Sequence, residues 1–193
     1  LRLEQDKALK ELTKYDNGIL HAATAFGKTV VSSAIIAQKK VNTLIILESS
    51  ALIEQWKDAL EKFLNIDEEL PTYETKTGRL RKRKSLIGTL QGAHDSMTGI
   101  IDIAMAGSLC KKGEYHKLLN QYGLVLVDEC HHSASETIAN VLKEVKAKYV
   151  YGVTATPKRG DGLEKINYML IGPIRFRFTA KERAIEQGIR HLV

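Results

Sequence analysis

Cysteine is scarce in this chain: Cys110 and Cys130 are the only two among 193 residues. Two distant thiols do not make a disulfide framework, and they predict a reduced, cytoplasmic setting. Long apolar runs are also missing. None approaches the ~20 residues that cross a bilayer, so no membrane partner is expected. The first residues, Leu1-Arg2-Leu3-Glu4-Gln5, have no apolar stretch of the kind a signal peptide carries. They also lack an initiator Met, so the chain is expected to be a piece of a longer protein. There is no internal repeat and no low-complexity linker. With 44% apolar residues, the length suits one well-buried α/β domain.

What is present alternates. Leu1 to Lys14 carries apolar residues at helical spacing, and Asp16-Asn17-Gly18 reads as a turn. Ile19 to Ala22 reads as a strand, Val30 to Lys40 as a helix and Thr43 to Leu47 as a buried strand. Ser49 or Ser50 is placed to cap a helix with Leu52, Trp56, Leu60 and Phe63 on one face. Trp56 and Phe63 are therefore expected in the core. Leu86 to Gly88 and Gly99 to Ala104 read as strands, and Ser108 to Asn120 as a helix interrupted at Gly113. Gly123 to Val127 is an apolar strand, Ser135 to Lys146 a helix, Tyr149 to Val153 a strand and Ile174 to Phe178 a half-exposed one. Near-continuously apolar strands alternating with helices predict a mostly parallel sheet covered on both faces.

Charge is unevenly placed. The net charge is +6, and the segment holding Lys76, Arg79, Arg81, Lys82, Arg83 and Lys84 contains no acid. Without those six, 23 basic residues face 23 acids. This run lies in the least regular stretch, Asn65 to Lys84, and is a candidate nucleic-acid contact as well as a candidate solvated loop.

Three segments carry chemistry. Ala22-Ala23-Thr24-Ala25-Phe26-Gly27-Lys28-Thr29 lies between an apolar strand and a helix. It reads as a phosphate-binding loop whose amides and helix start face an anion. Lys28 would reach the terminal phosphates and Thr29 would bind Mg²⁺. Val125-Leu126-Val127-Asp128-Glu129 is a strand ending in two carboxylates, where open α/β sheets place ligands. Asp128 is suited to the metal, and Glu129 to orienting and deprotonating a water. Cys130-His131-His132 invites a zinc reading, but three adjacent residues converge poorly on a tetrahedral ion and no Cys-x-x-Cys pair completes a site. Thr154-Ala155-Thr156-Pro157 ends the next strand with two hydroxyls.

In combination these segments resemble superfamily-2 helicase-like ATPases of the DEAD/DEAH and type III restriction (Res subunit) group. Ala22 to Thr29 looks like their motif I, Asp128-Glu129-Cys130-His131 like the D-E-x-H box, and Thr154-Ala155-Thr156-Pro157 like motif III. Thr43 to Trp56 is similar to the motif Ia region. Leu1 to Gln5 is similar to the upstream segment whose Gln recognises adenine. The resemblance implies an α/β, RecA-like P-loop domain over residues 1–178, with residues 179–193 beginning a linker toward a second RecA-like domain.

It also implies ATP and Mg²⁺ as cofactors. Gln5, Ala23, Thr24, Ala25, Phe26, Gly27, Lys28 and Thr29 would hold the nucleotide, and Thr29 and Asp128 the metal. Lys28, Asp128 and Glu129 would be catalytic, with His131, Thr154 and Thr156 coupling nucleotide state to nucleic acid. Arg79, Arg81, Lys82, Arg83 and Lys84 are the candidate nucleic-acid residues, with DNA preferred over RNA.

Ala25 departs from the family's usual Gly and would disturb the loop if that position needs φ above zero. Ala106-Gly107-Ser108 departs from the usual motif Ib. Nothing after Pro157 matches the arginine-finger pattern Q-x-x-G-R-x-x-R; Arg175, Arg177, Arg183 and Arg190 are scattered. The expected activity is therefore ATP-driven movement on DNA by the longer protein, with slow or absent hydrolysis by this piece alone. The competing readings are a non-catalytic nucleotide- or nucleic-acid-binding module and an RNA-directed helicase. A GTPase is disfavoured, because no Asn-Lys-x-Asp guanine motif is present.

Overall fold

The computed structural model describes residues 1–75, 77–132, 136–155, 164–179 and 182. Thr156, Pro157, Lys76, Arg183, Arg190 and nearly all of the expected linker lie outside the described residues. The chain opens with α1 (Leu3–Thr13), β1 (Asn17–Ala22), α2 (Lys28–Lys39), β2 (Thr43–Leu47) and α3 (Ile53–Phe63). A detached hairpin follows, made of β3 (Thr72–Glu74) and β4 (Leu80–Lys82). Next come β5 (Ile87–Gln91), β6 (His94–Asp95), β7 (Ile101–Met105), the short α4 (Ala106–Leu109) and a second small hairpin of β8 (Cys110–Lys111) and β9 (Glu114–Tyr115). The chain then runs through β10 (Leu124–Asp128), α5 (Glu136–Glu144), β11 (Tyr149–Thr154), α6 (Glu164–Ile171) and β12 (Ile174–Phe178).

Eight strands form the central sheet in the order β12-β1-β11-β10-β2-β7-β5-β6. Every pairing in it is parallel except that of β5 with the two-residue edge strand β6. Adjacent residues of one strand serve opposite faces. Ile45, Leu47, Leu124 and Leu126 pack with α1, α2 and α3 around Leu12, Val31, Ile35, Trp56 and Leu60. Leu44, Ile46, Val125 and Val127 pack with α4, α5 and α6 around Leu109, Ile138, Val141 and Ile171. Burial on both sides is why these strands read as unbroken apolar runs rather than alternating ones.

Four local expectations are corrected. The turn expected at Asp16-Asn17-Gly18 is already strand: Asn17 and Gly18 pair with Val150 and Tyr151. No serine caps α3; a 3-10 turn over Ser50–Leu52 leads into it, and Leu52 stands at its N-cap without a side-chain bond. Phe63, expected in the core, is 46% exposed, and Ile53 takes the buried place beside Trp56 and Leu60. The helix expected over Ser108 to Asn120 stops at Leu109. Lys112 (φ 52°) and Gly113 (φ 82°) are both left-handed and close the β8–β9 hairpin. Two consecutive positive φ values are the geometry of a tight hairpin and are incompatible with a helix.

A buried acid also emerges that serves structure. Asp102, in β7, is fully buried and accepts hydrogen bonds from Tyr122 Oη (2.6 Å), Thr98 N (2.8 Å) and Gly99 N (2.7 Å). It ties the turn before β7 to the segment before β10.

Candidate ATP site

The carboxyl ends of β1, β11 and β10 lie side by side in the sheet. β1 ends in the loop Ala23 to Gly27, β10 ends at Asp128, and β11 ends at Thr154. After β1 the chain crosses over β11 and β10 to reach β2, and such a switch opens a crevice at the strand ends.

The loop is braced from two sides. Ala23 N donates to Phe178 O at 2.9 Å, and Phe26 N donates to Ala23 O at 3.1 Å. The Phe26 ring is buried against Phe178, 4.9 Å between centroids, with Phe176 at 6.4 Å. On the other side the Phe26 carbonyl accepts from Gln5 Nε2 at 2.8 Å and from the Arg2 guanidinium. Gln5 Oε1 in turn accepts from Arg2 N at 2.9 Å. The structure therefore places Gln5 as a strut between α1 and the loop; its amide keeps one N–H and one oxygen lone pair for other partners.

Backbone conformation in the loop is unusual. Ala25 has φ 64°, the left-handed region that its family position suggested. An L-residue there costs about 1–2 kcal/mol, so the loop tolerates Ala25 at some strain. Gly27 has φ 88° and stands at the N-cap of α2. A Cβ on Gly27 would lie 2.4 Å from Gln5 Nε2, so only glycine lets the loop and strut coexist. No side chain caps α2, and its first turn contains no acid. Lys28 and Thr29 open a helix start that presents positive dipole without internal compensation.

Opposite the loop stand the two carboxylates. Lys28 Nζ lies 3.7 Å from Glu129 Oε1, with both side chains partly shielded. Glu129 has φ 45°, left-handed like Ala25 across the site. Its Oε2 is 3.3 Å from the Thr154 hydroxyl and 3.2 Å from His131 Nδ1. His131 Nδ1 is also 2.9 Å from Thr154 Oγ1. Glu129, His131 and Thr154 thus form one connected triangle between β10 and β11, and Ala155 N points at Glu129 Oε2 from 3.5 Å. Thr156, expected to join them, lies outside the described residues.

Asp128 accepts Glu129 N on Oδ1 at 2.9 Å and the Trp56 indole N–H on Oδ2 at 2.8 Å. Burial raises its pKa from the ordinary carboxylate value, against the opposing effect of those two donors. Trp56, 2% exposed, is thus a core residue of α3 whose one polar atom reaches the site. Its core place follows from helical spacing, whereas its bond to Asp128 has no signal in the sequence beyond a lone Trp at the end of the segment similar to motif Ia.

Three further supports were not legible. His21, at the end of β1, places Nε2 3.1 Å from Ala155 O, and burial lowers its pKa. Asn167 Nδ2 donates to His131 O at 3.3 Å. Cys130 is buried beneath the turn, where burial pushes its thiol pKa up. Arg79, Arg81, Lys82, Arg83 and Lys84 are not part of this constellation: they belong to the β3–β4 hairpin and its exit.

The geometry provides an anion-facing helix start with an adjacent lysine, a carboxylate held by two donors, and a second carboxylate on a hydroxyl-imidazole relay. These donor types fit a nucleoside triphosphate with Mg²⁺, for which Thr29 and Asp128 would be the oxygen ligands.

Comparison with known proteins bears on family and fold. The chain is 33% identical over 184 residues to a DNA 3'-5' translocase XPB2 of Sulfurisphaera tokodaii, covering 95% of this chain and 37% of that protein. It is 28% identical over 181 residues to a DNA 3'-5' helicase XPB of Kineococcus radiotolerans, covering 91% of this chain and 29% of that protein. It spans well under half the length of either relative. The UvsW helicase of bacteriophage T4 shares the fold, with a TM-score of 0.70 at 15% identity over 91% of this chain and 59% of that one. The family described as "Type III restriction enzyme, res subunit" matches residues 1–159, and the chain belongs to that family.

Proposed function

We propose that this domain is the ATP-binding half of a motor that hydrolyses ATP to move along DNA. The observation that carries the reading is the convergence of Lys28, at the start of α2, with Asp128, Glu129 and Thr154 at neighbouring strand ends. Lys28 and the amides of the loop hold the β- and γ-phosphates. Gln5, buried as the strut between α1 and the loop, would meet the adenine through the N–H and lone pair its two bonds leave over. Bound Mg²⁺, held by Thr29 and Asp128, would neutralise charge on the phosphate oxygens. Glu129 orients a water and takes its proton. Its contacts with His131 and Thr154 then report the chemistry to β11, a coupling role that the family resemblance extends to Thr156.

Residues 1–178 form the motor domain in this reading. Residues 179–193 lead to a second RecA-like domain that supplies the arginine finger, and the protein works in the cytoplasm. DNA is favoured over RNA because the relatives cited act, by name, on DNA.

Exchanging Lys28→Ala in the protein tests this. DNA-stimulated ATP hydrolysis should fall roughly 100-fold or more, as when a key charge-stabilising donor is removed. Unchanged turnover would sink the assignment. Nucleotide binding with no turnover in the parent, even with DNA present, would favour a non-catalytic module. Stimulation by RNA alone would redirect the reading to an RNA motor.

A further inference from the structure

The β3–β4 hairpin is unexplained by the ATP site and contributes nothing to the core. No described residue from 67 to 86 belongs to either hydrophobic cluster. It is nonetheless fully laddered. Arg83 N donates to Pro71 O and Thr75 N to Arg79 O, each at 2.8 Å, while Gly78 N and Arg79 N close the turn onto Thr75. An isolated two-stranded hairpin without a buried face is marginal, so its retention calls for another use.

Its charges are sorted by face. Tyr73 pairs directly with Arg81, and side chains two apart share a face. Arg79, Arg81 and Arg83 therefore line up on the Tyr73 face, at rungs about 6.8 Å apart. The Arg83 guanidinium lies over the Tyr73 ring, 4.2 Å from its centroid, which fixes that alternation. Lys82 shares the other face with Leu80, Thr72 and Glu74, and Lys84 follows beyond the strand. Among the described residues none of these five cations enters an ion pair. The six basic residues of this segment equal the chain's whole net charge of +6, and the arginine row among them, exposed at Arg79 and Arg81 and half-buried at Arg83, is a concentrated cationic strip.

We propose that the Arg79-Arg81-Arg83 face, braced by Tyr73, docks on the phosphate backbone of duplex DNA. The proposal rests on the DNA-directed reading above. Planar guanidinium forks suit phosphate oxygens, and contacts of this type position a protein without reading sequence. A single-strand platform would offer open aromatic faces to bases. Here the one ring on the strip is half-buried and already covered by Arg83, so backbone contact is the use that remains. The hairpin leads into β5, on the far side of the sheet from β1 and its loop. It therefore adds grip at a distance from the ATP chemistry.

Two charge-matched double variants of the protein test this: Arg79→Gln with Arg81→Gln, and Lys82→Gln with Lys84→Gln. Each removes two cations, from opposite faces of the hairpin or its exit, and thermal unfolding verifies that both remain folded. Binding to a short mixed-sequence duplex is measured across a salt series. The arginine pair should weaken binding by about tenfold and lower the slope of log affinity against log salt by roughly two. The lysine pair should change affinity less than about twofold. Equal losses would mean undirected charge, no loss in either would mean edge protection alone, and equal arginine dependence on single-stranded DNA would mean the wrong DNA form; each overturns the proposal. Parent ATP hydrolysis with and without DNA, in the same preparations, reports the motor reading separately. A selective arginine effect without stimulated hydrolysis would leave the docking face standing and remove the motor.

Discussion

Trp56 is buried in the middle of α3, yet its indole N–H ends on Asp128 Oδ2 at 2.8 Å. One side chain thus joins a core helix to the carboxylate suited to the metal. Exchanging Trp56→Phe keeps most of the apolar volume and removes the donor. An outer-shell partner of this kind is worth about 10-fold in metal affinity or activity, so the Mg²⁺ concentration for half-maximal ATP hydrolysis should rise by about that factor. A shift confined to thermal stability, with the Mg²⁺ dependence unmoved, would reduce Trp56 to packing. Positions such as Lys28, Asp128 and Glu129 were legible because their chemistry depends on residue type and local order. The Trp56 bond joins residues 72 positions apart, and no local pattern encodes it. The left-handed Glu129 was equally hidden, because only the turn after β10 demands it.

At the scale of elements, the turn that carries Glu129 and His131 is seated on β11. Gly152 lies beneath it: an added Cβ would come within 2.7 Å of Cys130 Sγ and 2.8 Å of Cys130 Cβ. Nothing at those distances can relax except the turn itself. Gly152→Ala should therefore cost about 1–3 kcal/mol of stability, the usual penalty for overpacking, read as a shifted denaturant midpoint. A midpoint equal to the parent's would show that the turn is free to lift off β11. The parallel strands were readable as elements because burial on both faces makes them continuous apolar runs. The 108–120 stretch was not, because Lys112 and Gly113 form a hairpin turn that helical spacing does not reveal. Strand order and the neighbourhood of β1, β10 and β11 came only from the structure, since parallel pairing is set by contacts far apart in sequence.

For the whole molecule, the sheet divides labour between its ends and edges. The carboxyl ends of β1, β11 and β10 gather the candidate ATP site, and β12 and α1 brace the loop through Phe26. The far side carries the arginine-faced hairpin. Among the described residues no helix is long and apolar enough to cross a membrane. The proposed function turns on Glu129 being a general base in a working ATP site rather than a structural acid. Its most direct test is Glu129→Gln in the protein, with ATP binding and DNA-stimulated hydrolysis measured on the same samples. The account predicts ATP binding close to the parent's and hydrolysis lowered by roughly 100-fold to 10,000-fold, the range for loss of a general base. Hydrolysis within a few-fold of the parent would contradict it.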